Sequence, residues 1–83
     1  MKYEILIDKP AQKFILKQPV PLRRRLLSAI YKLPENGDIK ELKGNPGFFR
    51  LRVGDFRVIY TVNNEQLVVR VINAGNRGDI YKQ

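Results

Sequence analysis

Apolar and polar positions alternate most cleanly from Phe48 to Thr61, FFRLRVGDFRVIYT, where two alternating runs meet at Gly54-Asp55, a pair suited to a two-residue hairpin turn. That turn sets Val53 opposite Phe56, Leu51 opposite Val58 and Phe49 opposite Tyr60, so one face of the hairpin is apolar and fit for a core. Arg50, Arg52 and Arg57 then fall on the other face. Arg52 and Arg57 stand directly opposite one another, a like-charge pairing that costs stability. A fold alone does not need this arrangement, and it points to an anion, either a polyanion or an anionic transition state, that the arginines are gathered to meet.

The remaining pattern supplies the scaffold. Residues Lys2 to Ile7 alternate weakly, with Tyr3, Ile5 and Ile7 on one face, and predict a first strand. Asp8 then caps a short helix that tolerates Pro10 in its first turn and carries Ala11, Phe14 and Ile15 as a stripe, with Lys9, Lys13 and Lys17 towards solvent. Pro19 and Pro21 separate it from a second helix, in which Leu22, Leu26, Ala29, Ile30 and Leu33 recur at helical spacing until Pro34 stops it. From Glu35 to Gly47 the chain is rich in Asn, Gly, Asp and Pro and reads as a connecting loop anchored by Ile39 and Leu42, with Lys40 and Lys43 in it. Beyond the hairpin, Asn63-Asn64-Glu65 predicts another turn and Leu67 to Ala74 a further strand. A two- or four-residue loop places Leu67, Val69 and Val71 on the core side and Arg70 on the arginine face; a three-residue loop reverses this. Gly75 permits a bend that would carry Arg77 and Tyr81 back over the sheet. The expected fold is therefore α+β: an N-terminal strand, a two-helix hairpin, then an antiparallel β-meander in one twisted sheet, as a single domain over residues 1–83.

Charge and composition narrow the chemistry. Lys and Arg number 16 against 8 Asp and Glu, a net charge of +8, and the basic residues lie in both halves. Nucleic acid, an anionic membrane surface and an acidic protein are all compatible with that balance. The longest apolar runs are only a few residues and the N-terminus MKYEILID has no apolar signal core, so a cytoplasmic protein without membrane association is expected. Histidine and cysteine are absent, which excludes disulfides, thiol nucleophiles and an imidazole base, and Ser28, the one serine, sits in a helical pattern with no base beside it. Any catalysis therefore rests on Arg, Lys, Tyr and carboxylates.

Arg50, Arg52 and Arg57, joined by Arg70, form a cluster of planar donors suited to bidentate contact with phosphate oxygens; a merely basic solvent face is the competing reading. Arg23, Arg24 and Arg25 splay over most of a helical turn and cannot share one small site, so a solvated face is the preferred reading, with RNA or ribosome contact as the alternative. Arg77-Gly78-Asp79 spells an adhesion tripeptide, treated as coincidence in a chain without secretion features. The carboxylates of the first half fall on different elements and form no metal or paired-acid constellation.

Taken together, Leu42-Lys43-Gly44, the run Phe49 to Tyr60, Gly75-Asn76-Arg77 and Tyr81 resemble the RelE/ParE superfamily of bacterial and archaeal toxins, over nearly the whole chain. The resemblance implies a type II toxin–antitoxin component held inactive by a cognate antitoxin, acidic or with an amphipathic helix. In its RelE branch, mRNA in the ribosomal A site is cleaved without metal or cofactor by ribose 2′-hydroxyl attack on the adjacent phosphate. In the ParE branch, DNA gyrase is the target. The resemblance implies Arg57, Arg77 and Tyr81 as catalytic residues, favouring the nuclease branch, and Lys43, Arg50, Arg52 and Arg70 as RNA-binding residues. A non-catalytic RNA- or antitoxin-binding module is a further alternative. One departure stands out: familiar RelE nucleases carry lysines where this chain has Arg50 and Arg52. Arginine stays protonated, so Arg52 can grip phosphate but is a poor base.

Overall fold

The computed structural model describes residues 3–76. In chain order these form β1 (Glu4–Ile7), α1 (Lys9–Leu16), α2 (Val20–Ile30), β2 (Asp38–Glu41), β3 (Phe48–Val53), β4 (Phe56–Asn63) and β5 (Val68–Asn76). The strands make one sheet in the order β1-β5-β4-β3-β2; β1 runs parallel to β5 and every other pair is antiparallel. A parallel neighbour needs a crossover between it and its partner. The helical hairpin begins that crossover and lies on one face of the sheet. No helix among the described residues is long and apolar enough to cross a membrane.

The helices and the apolar strand positions close on each other as the alternation requires. Ala11 and Ile15 of α1, Leu26 and Ile30 of α2, and Leu33 beyond it pack with Leu51, Val58, Tyr60, Val69, Val71 and Ala74 of the sheet. Phe14 meets Phe56 edge to face at 5.6 Å between centroids, tying α1 to β4. Phe49 stacks on Tyr60 across the β3–β4 pair, at the same centroid separation of 5.6 Å. Tyr60 is 1% exposed, and burial pushes its phenol from the ordinary 10.0 up to about 12.

That shift carries a pH dependence with a definite sign. The folded state holds the phenolic proton more tightly than the unfolded chain does. The associated stability is therefore intact below pH about 10 and is lost as the pH rises towards about 12, by up to about 1.4 kcal/mol per pH unit. Denaturant titrations across this window should show a steeper fall for the wild type than for Tyr60→Phe, which has no proton to lose; parallel slopes would contradict the assignment.

Several boundaries differ from the sequence expectation, each for a local reason. Strand β1 starts at Glu4. Asp8 occupies the N-cap position of α1 but makes no side-chain cap bond; its carboxylate instead takes Arg70 Nε at 3.1 and 3.2 Å. Helix α2 begins at Val20, with Pro19 at the cap and Pro21 in the first turn, where a missing N–H costs nothing, and it ends at Ile30, so Leu33 enters the core from the following turn. The segment expected to be loop from Glu35 to Gly47 contains strand β2. It is entered through Gly37 at φ +131°, where a Cβ would lie 2.5 Å from Leu51 Cδ1.

The β4–β5 turn spans the four residues Asn64 to Leu67, with Asn63 Oδ1 accepting from the Glu65 and Gln66 amides and Leu67 at φ 57°. Leu67 is thus a half-buried turn residue rather than the first core position of the strand. β5 then runs through Gly75, paired with Arg57, to Asn76, so the bend expected at Gly75 is absent. Between Ile59 and Tyr60 the register shifts, because Asn73 and Val71 are their partners and Ile72 is extra. This bulge inverts the alternation, which lets Val71 and Ala74 both face the core.

Candidate nucleic-acid interface

The register assembles the sheet face opposite the helices row by row, since directly paired residues share a face. One row reads Asp38–Arg52–Arg57–Gly75 and the next Lys40–Arg50–Ile59–Asn73. Four cations thus meet one carboxylate in two adjacent rows, at the end of the sheet where the Gly54-Asp55 turn lies. The third row, Phe48–Thr61–Arg70–Leu6, carries a half-exposed apolar surface.

The like-charge opposition of Arg52 and Arg57 is real, and two features offset it. Arg52 Nε lies 2.7 Å from Asp38 Oδ2, with Arg50 Nη2 3.5 Å from the other oxygen, Oδ1. Arg57 is engaged by the backbone: its Nη1 donates to the Gly54 carbonyl at 3.4 Å and to the Phe56 carbonyl at 3.1 Å. Those bonds fix the guanidinium against the hairpin's own backbone. Arg57 is only 6% exposed, far deeper than a position on a solvent face suggests, because β4 is the middle strand of the sheet. Arg50 is also partly buried, and its Nε is enclosed with no hydrogen-bond partner among the described residues. A buried guanidinium held this way is a preorganised source of positive charge.

Other candidates are placed elsewhere. Arg70 lies on the same face as expected, but four strand positions from Arg57, about 13 Å along the sheet, and it is paired with Asp8. Lys43 is exposed in the β2–β3 turn, at the end of β3 remote from Arg52. Arg77 and Tyr81 lie outside the described residues. The arginines of α2 splay as their spacing requires: Arg23 donates to the Leu16 and Gln18 carbonyls at the helix junction, Arg24 is exposed, and Arg25 reaches the hairpin tip, its Nη2 3.7 Å from where a Gly54 Cβ would be. Arg25 lines a shallow cleft of about 250 Å³ there with Leu22, Asp55 and Asn76. Sequence reasoning missed Asp38 and Lys40 as members of the face, because their strand was not foreseen.

The geometry suits binding and charge stabilisation of a phosphodiester. Arginine supplies donors that stay charged, and among the described residues of the two rows no group is an evident proton acceptor other than the ion-paired Asp38.

The chain has clear relatives. A family model described as the ParE toxin of type II toxin-antitoxin systems, parDE, matches residues 5–81. The RelE1 protein of Methanocaldococcus jannaschii is 30% identical over 88 residues, covering 99% of this chain and 98% of its own length. Among solved structures, a chain of the archaeal RelE–RelB complex from Pyrococcus horikoshii OT3 superposes with a TM-score of 0.76 at 32% identity, over 95% of this chain and 99% of its own. A chain of the intact E. coli RelBE toxin–antitoxin complex gives 0.75 at 27% identity, over 89% and 95%.

Proposed function

The chain belongs to the ParE toxin family of type II toxin–antitoxin systems, within the RelE/ParE superfamily, and from that premise we propose that it is a ribosome-dependent mRNA endonuclease that inhibits translation in the cytoplasm. The observation that carries this reading is the arginine face: Arg57 locked beneath the hairpin turn, with Arg50 and Arg52 beside it, on a chain without histidine or cysteine. Such a face is suited to one class of reaction above others. The 2′-hydroxyl of a ribose attacks the adjacent phosphorus in line, the bond to the 5′-oxygen breaks, and a 2′,3′-cyclic phosphate and a 5′-hydroxyl result. The protein's task is to position the phosphodiester and to stabilise the added negative charge on its oxygens.

In this scheme Arg57 and Arg77 stabilise the developing charge, and Tyr81 serves as general base or stacks on the nucleotide beside the scissile bond. Arg50 and Arg52 grip the backbone, with Lys43 and Arg70 contacting RNA further along. The ribosome supplies the in-line geometry, which allows so few catalytic groups to suffice. A cognate antitoxin is the proposed physiological partner, in keeping with the complexes in which similar chains were solved with RelB. An acidic antitoxin would complement the net charge of +8.

The family model is named for ParE, which favours a second reading, gyrase poisoning. Two assays on the same purified protein separate them. Cleavage of a defined mRNA only when ribosomes are programmed with it, without inhibition of gyrase supercoiling, is the expected result. Inhibited supercoiling with intact mRNA would replace the nuclease by the gyrase reading.

A further inference from the structure

Asp38 is the one carboxylate in the two rows that carry Arg50, Arg52 and Arg57. It is half-exposed, and each of its oxygens faces a different guanidinium, Oδ2 at 2.7 Å from Arg52 Nε and Oδ1 at 3.5 Å from Arg50 Nη2. Two oxygens on one centre, divided between two arginines, is also the arrangement a backbone phosphate would adopt there. From this we infer that Asp38 is a specificity-determining residue: an internal anion that occupies the phosphate-gripping arginines of the free protein and must be displaced by RNA. The inference rests on the arginine face being an RNA-phosphate site.

The physical consequence is a restraint on indiscriminate binding. Sequence-independent affinity for single strands comes from counterion release and scales with the number of free cations, each contributing a slope of about 0.7 in log K against log salt. Neutralising one cation internally removes that contribution for every RNA alike. RNA presented in a fixed geometry, with further contacts to offer, can afford to displace the carboxylate. Loose RNA cannot do so as readily. The chain is strongly basic, and a partly self-neutralised grip keeps it from binding every transcript it meets.

The test is binding of a short oligouridylate to the full chain across a salt series. Asp38→Asn keeps the shape and an acceptor for Arg52 while removing the charge. It should bind roughly five- to tenfold more tightly at about 50 mM salt, narrowing to about threefold at about 200 mM, with the salt slope steeper by about 0.7. Asp38→Thr, a neutral residue suited to a strand, should do the same and guards against a folding failure of the first variant. Asp38→Glu should restore wild-type binding, and the thermal midpoint should not track the change. Unchanged or weaker binding by both neutral variants, with the wild-type slope, would overturn the inference. Arg52→Ala reports separately on the premise: weaker binding is expected, and binding as tight as wild type would show that Arg52 does not hold RNA phosphate, whatever Asp38 does.

Discussion

Replacing Arg57 with alanine should lower ribosome-dependent cleavage by a hundredfold or more while leaving the chain folded. Removing one preorganised donor from a charge-stabilising site costs on the order of 3 kcal/mol of barrier, and Arg57 meets the conditions for that magnitude. It is 6% exposed, it lies on the middle strand, and Nη1 is held by the Gly54 and Phe56 carbonyls, so it does not have to be ordered when the substrate arrives. Alanine also releases the Gly54 and Phe56 carbonyls from the guanidinium. Arg57→Lys distinguishes charge from geometry: a lysine keeps the charge but cannot reproduce the planar fork, so most of the activity should still be lost. Single-turnover rates on programmed ribosomes measure both. Full activity in the alanine variant would remove Arg57 from the chemistry and leave the arginine face a binding surface.

The second large effect concerns stability. Leu26→Ala should destabilise the fold by about 2–5 kcal/mol, because Leu26 is fully buried and joins α2 to the apolar face of the sheet. For a chain of this size that is a large share of the total stability, and the melting temperature should fall by about 8–40 °C. Leu16→Ala is the matching control. Leu16 is 63% exposed at the end of α1, and its truncation should change stability by no more than about 0.5 kcal/mol. Chemical denaturation of both variants checks the contrast, and equal losses would mean that α2 does not dock through its Leu26 face. Since α2 also brings Arg25 to the hairpin tip, the Leu26 variant should lose cleavage in step with its folded fraction.

The hairpin and its register were legible because alternation and the Gly54-Asp55 turn together leave one pairing that gathers Phe49, Leu51, Val53, Phe56, Val58 and Tyr60 on a single face; Val53–Phe56, Leu51–Val58 and Phe49–Tyr60 all pair as expected. The helices were legible from their stripes, though prolines at a helix start shift a boundary without breaking the helix. Strand β2 was not legible. Its four residues, Asp-Ile-Lys-Glu, hold a single apolar position, and pairing with β3 rather than local pattern makes it a strand. Missing β2 also hid Asp38, and with it the reason that Arg52 can stand opposite Arg57. The bulge at Ile72 was hidden because Val, Ile and Ala occupy both parities of β5, so no alternation marks the shift. A strand pattern gives the direction in which a side chain points but not its depth, so alternation places Arg57 on the face opposite the core without revealing that it is 6% exposed.

The central claim, that this toxin cuts mRNA on the ribosome through its arginine face, is tested most directly by the chemistry of the cut ends. Ribosomes programmed with a defined mRNA and treated with the purified chain should yield fragments cut within the A-site codon, ending in a 2′,3′-cyclic phosphate and beginning with a 5′-hydroxyl, and an Arg57→Ala, Arg77→Ala double variant should yield none. Ends bearing a 5′-phosphate, equal cutting of free mRNA, or equal cutting by the double variant would contradict it.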